Sequence, residues 1–176
     1  FVILRFKYIY SLILLYIFSA CSSKDDSFHN EDALFLSHDG VQREYLLHIP
    51  QNCDSSISHP IVFNFHGFGG TATDHMYSAD LRSISDTAGF ILVYPQGLPS
   101  NDGSPHWNIA ESGGDNKSDS DDFGFIASLI YELSLDYNID ENRLYACGYK
   151  WSRIFIFCSL SLRSICCNCF CFGSHV

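Results

Sequence analysis

The 176 residues have room for one domain, and an apolar fraction of 47% with 15% aromatic residues belongs to a chain that buries a core and excludes a wholly disordered one. A formal charge of −10 excludes a nucleic-acid binder, because phosphate contacts need clustered Lys and Arg and the ten basic residues here are scattered. The charge is uneven: every Asp and Glu lies between Asp25 and Glu141, while residues 151–176 carry five of the eight cysteines and no acid.

In chain order, Arg5 and Lys7 precede an apolar run from Ile9 to Phe18, which Ser19, Ala20 and Cys21 separate from polar Ser22 to Asp26. That is the layout of a signal peptide over residues 1–21. Cys21 after Ser-Ala resembles a bacterial lipoprotein box, with Phe18 where leucine is usual; Cys21 is then the lipid-attachment site and the membrane a partner through that anchor. A plain secretion signal is the alternative, and either reading predicts an extracytoplasmic protein, secreted or anchored. A spanning helix needs about 20 apolar residues, more than this run offers. The first residue is Phe1 rather than Met, which leaves room for residues before it. Residues 22–39 read as a polar tether.

Residues 40–149 read as alternating strands and helices. Arg43–Ile49 is a strand closed by Pro50, and 51–60 is a turn-rich loop. Ile61–Phe65 is a short β-prone run, buried on both faces, that empties into His66-Gly-Phe-Gly-Gly70. Thr73 or Asp74 caps a helix to about Ala88, Gly89–Tyr94 is a second buried strand stopped by Pro95, and 95–120 is a long loop. Asp121 or Asp122 caps a helix whose Phe125, Ile126, Leu129, Ile130 and Leu133 share one face, and Arg143–Cys147 is a third buried strand. Such alternation predicts an α/β fold with parallel pairing and right-handed crossovers.

The glycine loop carries the strongest chemical signal. Ester hydrolysis passes through a tetrahedral oxyanion, which preorganised backbone N–H groups stabilise, and glycines let that backbone come close. A glycine-rich turn without a ligand is the plain alternative. The third strand then climbs through Cys147-Gly148-Tyr149 toward the place where a nucleophile elbow reads Gly-x-Ser-x-Gly.

The succession of His66–Gly70, Gly89–Gly97, Trp107-Asn108, Asp121–Ile126 and Tyr137–Tyr145 resembles the polyhydroxybutyrate depolymerase and feruloyl esterase family of secreted α/β-hydrolases. The resemblance runs from about Gly40 to Tyr149. It implies the N-terminal part of an α/β-hydrolase sheet and a Ser-His-Asp carboxylic ester hydrolase, without cofactor or metal, acting on hydroxyalkanoate polyesters or acylated polysaccharides. It further implies that backbone N–H groups near Gly67 and Phe68 form half the oxyanion hole and that the Trp107 loop overhangs the substrate.

The departures begin at the elbow. Lys150 stands at the serine position, Ser152 is a weak substitute, and His175 has no acidic partner after the turn. A slip of frame accounts for this: Ser-Asn-Gly encoded as TCA-AAT-GGN and losing two bases reads AAA-TGG, which is Lys150-Trp151. The expectation is a hydrolase domain truncated at its elbow and followed by an aberrant, Cys-rich, frameshifted tail over residues 150–176.

Other patterns have plainer readings. Cys166–Cys171 lacks the spacing of a structural zinc site, and Ile154–Phe172 is interrupted as a membrane segment by Arg163 and Asn168. Asp115–Asp122 has the oxygen density of a calcium loop but not its glycine and distal glutamate, and reads better as a solvated loop with a helix cap. His66 reads as a hydrogen-bonding strut rather than an acid or base, and Cys53 and Cys147 either pair or stay separate. Three functions follow: an esterase lineage whose present chain is inactive, a non-catalytic surface lipoprotein that binds polysaccharide or polymer, and a remnant whose unpaired strand edge invites aggregation.

Overall fold

The computed structural model describes residues 33–108 and 116–149. In chain order these form β1 (Leu34–His38), β2 (Val41–His48), β3 (His59–Phe65), α1 (Ala72–Ser78), α2 (Arg82–Ala88), β4 (Ile91–Pro95), α3 (Asp122–Asp136) and β5 (Ile139–Gly148). The strands make one sheet in the order β1-β2-β4-β3-β5. β1–β2 and β2–β4 are antiparallel, while β4–β3 and β3–β5 are parallel, so the sheet is mixed rather than parallel throughout.

Alternation along the central strands sorts side chains to two cores. Ile61, Phe63, Phe65, Ile91 and Val93 face α3 and pack with its Phe125, Ile126, Leu129 and Leu133. Leu92, Tyr94 and Leu46 face the other way, against Ala72 and Met76 of α1. Full burial of each such large side chain contributes roughly 1.5–3 kcal/mol, so these interleaved runs fix the register.

Three local expectations change. Residues 34–38, inside the stretch read as tether, form β1, because Asp39 (φ 50°) and Gly40 (φ 75°) turn the chain in a two-residue hairpin that pairs His38 with Val41. The helix expected to run to Ala88 is two helices, since the Ala79 carbonyl accepts from Asn64 Nδ2 (3.1 Å) and the Tyr94 hydroxyl (3.0 Å) instead of a continuing turn. Its cap is Thr71, whose Oγ1 accepts from the Asp74 N–H (3.0 Å). Lastly, β5 is only partly buried: Glu141, Asn142 and Arg143 are exposed, and Leu144 and Ala146 reach the core.

Candidate active site

β3 and β5 are parallel neighbours with Phe65 opposite Gly148, so the loop after β3 and the chain at Tyr149 leave the sheet at the same end of the strands. The pairing extends one residue further, with the Tyr149 N–H donating to the Phe65 carbonyl (3.2 Å). Gly67 lies against Tyr149, where a β-carbon would sit 3.3 Å from the Tyr149 carbonyl oxygen. The glycine loop and the approach to the elbow therefore share one crevice. Phe68 (50% exposed) and Tyr149 (47% exposed) stand at its mouth. The cavity measures about 510 Å³ and also meets Asp74 and Ser78 of α1.

Within the loop the Gly69 N–H donates to the Pro105 carbonyl (2.8 Å) and the Gly70 N–H to the Gly67 carbonyl (3.0 Å). Among the described residues, the N–H groups of Gly67 and Phe68 have no such partner. These are the two donors expected from sequence for the oxyanion.

His66 is buried and neutral. Its Nε2 accepts from the Gly97 N–H (2.9 Å) and faces Gln96 Nε2 (3.1 Å), so the proton is on Nδ1, which donates to the Gly67 carbonyl (2.8 Å). Burial pushes the imidazole below its ordinary range. It braces the loop, and both its nitrogens are engaged.

Trp107 lies beneath the loop rather than over it. The indole is 7% exposed, stacks edge-on against Phe65 (5.1 Å between centroids) and tilts against His66 (5.3 Å). An indole held this way supports the loop from behind and offers no face to an overhanging role. Neighbouring Asn108 joins the two sides of the long loop, its Nδ2 donating to the carbonyls of Ser118 and Ser120 (2.8 Å each). Lys117 reaches back over the Phe68 ring, 5.6 Å from its centroid.

Beneath this assembly is a buried ion pair that local sequence reasoning missed. Arg43 of β2 donates to Asp122 Oδ1 (2.6 Å), and Asp122 Oδ2 accepts from the Asn108 N–H (2.6 Å) and the Ser120 hydroxyl (3.2 Å). The guanidinium lies 4.0 Å over the Phe125 ring, with burial lowering its pKa. Asp121, not Asp122, caps α3 by accepting from the Gly124 N–H (2.9 Å).

Lys150, Ser152, Cys21, His175 and the cysteines from Cys166 to Cys171 lie outside the described residues. Cys53 lies in the turn before β3 and Cys147 opposite Asn64 on β5, and the two are not bonded to each other. Among the described residues, His38, Asp39 and Asp121 bring donor atoms within 4.8 Å of one another. Both carboxylates are exposed, and His38 is engaged with Ser128 Oγ (3.1 Å) and Asp121 Oδ2 (3.3 Å), as in a hydrogen-bonded surface cluster. No helix among the described residues is long and apolar enough to cross a membrane.

This strand order, with a glycine loop after β3 and an elbow approach after β5, defines an α/β-hydrolase fold. An S-formylglutathione hydrolase from Agrobacterium tumefaciens superposes with a TM-score of 0.55 at 14% identity, covering 67% of this chain and 48% of that one. The native form of a protein designated pOPH does so at 0.51 and 19%, covering 68% and 43%. No protein-family model matches the chain.

Curated relatives narrow the class. Feruloyl esterase B of Neurospora crassa is 34% identical over 89 residues, which is 50% of this chain and 29% of that protein. A probable feruloyl esterase C of Aspergillus terreus is 30% identical over 124 residues, 64% of this chain and 40% of that protein. A bifunctional acetylxylan esterase/xylanase of Neocallimastix patriciarum is 23% identical over 122 residues, 69% of this chain and 16% of that protein. The chain is similar to feruloyl and acetylxylan esterases within the α/β-hydrolase fold, and it spans well under half the length of these relatives.

Proposed function

We propose that residues 40–149 supply the carbonyl-polarising half of a serine carboxylic ester hydrolase. Its substrates are acyl esters of polysaccharide, as for a feruloyl or acetylxylan esterase, or polyesters such as polyhydroxybutyrate. The observation that carries this reading is the apposition of two unpartnered N–H groups, at Gly67 and Phe68, to the end of β5 at Tyr149. In the chain read in frame, a serine in place of Lys150 attacks the ester carbonyl and gives its proton to a base; the new C–O bond forms as the carbonyl π pair moves onto oxygen, and the resulting oxyanion faces the loop donors. Collapse breaks the ester C–O bond while the base returns the proton to the departing alkoxide, and water, deprotonated by the same base, then hydrolyses the acyl-serine to release the acid.

In the polypeptide as given, Lys150 offers no hydroxyl at that position, so it is inactive on esters. The test compares this chain with one read in frame, Ser-Asn-Gly following Tyr149, on p-nitrophenyl acetate and methyl ferulate. The reading expects no turnover from the first and hydrolysis from the second. Turnover by the first, abolished by Ser152→Ala, overturns the inactivity; none from the second sinks the esterase lineage.

A second reading is favoured by the half-exposed Phe68 and Tyr149 beside the cavity. It is a non-catalytic surface lipoprotein, anchored outside the cytoplasm through Cys21, that binds polysaccharide or polymer. It expects retention on insoluble xylan or polyester without hydrolysis, and labelling of Cys21 by lipid precursors.

A further inference from the structure

We propose that Gln96 is a positioning residue for the glycine loop: acting through His66, it sets the direction of the Gly67–Phe68 peptide and so aims the Phe68 N–H into the crevice. The proposal rests on the ester-hydrolase reading and names how that site is held in register.

Gln96 follows β4 and ties three elements together. Its backbone N–H donates to the Glu44 carbonyl (2.9 Å), its Oε1 accepts from the Ala72 N–H at the start of α1 (2.7 Å), and its Nε2 faces both the Gly97 carbonyl (2.9 Å) and His66 Nε2 (3.1 Å). A backbone N–H can only donate, so Ala72 fixes which end of the carboxamide is oxygen. The amino end is thereby directed at the imidazole. Gly97 is obligate in the same way, and its N–H at 2.9 Å requires a lone pair on His66 Nε2.

The proton then belongs to Nδ1, where the Gly67 carbonyl waits at 2.8 Å. That carbonyl also takes the Gly70 N–H (3.0 Å), so two donors pin it. In a planar trans peptide the C=O and the following N–H point in opposite directions. With the Gly67 oxygen held toward the imidazole, the Phe68 N–H faces away from it, and Gly67, Phe68 and Tyr149 all line the one cavity.

The neutral state of His66 is part of this arrangement. An imidazolium would present a second N–H to the Gly97 and Gln96 donors, which have nothing to give it. Burial disfavours the charge, with His106 adding to that effect; Asp122 opposes it, and His75 is the other titratable group on this side.

Imidazole ¹⁵N NMR on the intact chain reads the tautomer directly. The expected spectrum at pH 7 has His66 protonated on Nδ1 and unprotonated on Nε2, with a titration midpoint below that of an ordinary imidazole. Gln96→Glu replaces one of the two donors at Nε2 with a carboxylate oxygen while the Gly97 N–H stays, so the His66 titration midpoint should rise and the Phe68 amide resonance should move; a role in packing alone would leave both where they are. In the chain read in frame, Gln96→Glu should lower kcat at least tenfold with KM changed less than threefold. An Nε2–H tautomer in the intact chain, or an unmoved His66 midpoint in Gln96→Glu, overturns the relay. An unaltered kcat overturns its bearing on catalysis. Failure of the in-frame chain to cleave any ester overturns the hydrolase reading instead, and leaves the tautomer result to decide the relay.

Discussion

Gly67 and Tyr149 touch across the gap between two parallel strands, and their approach holds the glycine loop to the end of β5. A β-carbon on residue 67 would lie 3.3 Å from the Tyr149 carbonyl oxygen and 3.4 Å from its ring. Both neighbours are tied down: the Tyr149 N–H is bonded to Phe65, and the Gly67 carbonyl to His66 and Gly70.

Gly67→Ala should therefore destabilise the fold by about 1–3 kcal/mol, the range for overpacking a well-packed position. Urea unfolding measures the loss, and amide shifts at Phe68 and Tyr149 report whether the crevice widens. Unchanged stability with unchanged shifts would mean the two segments are not in contact.

Gly97→Ala is expected to be worse. Its β-carbon would collide with the His106 carbonyl group, whose carbon is 2.9 Å away, and the same residue supplies the N–H that fixes His66. Backbone cannot swing aside as a side chain can, so a loss of about 3 kcal/mol or more is expected, at or beyond the upper end for overpacking. A thermal midpoint within two degrees of the unsubstituted chain would contradict the packing of the 97–106 segment.

Stability should fall on acidification from about pH 6.5 to about pH 4. Burial pushes His75 down to about 4, and its ring donates to Asn64 Oδ1 (2.8 Å) in the interior. A depressed imidazole means that the unfolded chain takes up a proton first, so its contribution is complete above the unfolded pKa near 6.5 and lost as pH drops to the folded value. Linkage puts the loss at about 3 kcal/mol. Urea unfolding at pH 7 and pH 4.5 measures it; His75→Gln, which keeps a donor and cannot titrate, should flatten much of the slope.

The parts of the fold that local patterns reveal are those governed by neighbours in sequence. Val62, Phe63, Leu92 and Val93 sit in runs too apolar for anything but a buried strand, and the glycines from Gly67 to Gly70 advertise a loop that approaches something closely. β1 was hidden because Leu34 and Phe35 are exposed and its flank is polar, although Asp39-Gly40 is a strong hairpin signal. Trp107 lies in a polar loop that the resemblance implies overhangs the substrate, and only its packing on Phe65 and His66 shows that the indole turns inward. Arg43 and Asp122 are 79 positions apart, and each alone resembles an ordinary surface charge.

That ion pair makes the sharpest stability test. Arg43→Met keeps the apolar stem over Phe125 but leaves Asp122 buried with only the Asn108 N–H and the Ser120 hydroxyl to satisfy it. Breaking one side of a buried pair costs about 3–5 kcal/mol, far more than a surface charge would. Arg43→Lys should recover little of that, since an ammonium lacks the planar group that here both stacks on the ring and reaches the carboxylate. The loss should also surface at a distance: Asp122 holds the Asn108 N–H, and Asn108 follows the indole that supports His66, so the Trp107 emission maximum, read with Trp151→Phe to remove the second indole, should shift to the red in Arg43→Met. A destabilisation below about 1 kcal/mol by urea unfolding, in the range of exposed pairs, would show that Arg43 and Asp122 are solvated and that the base of the crevice is built some other way.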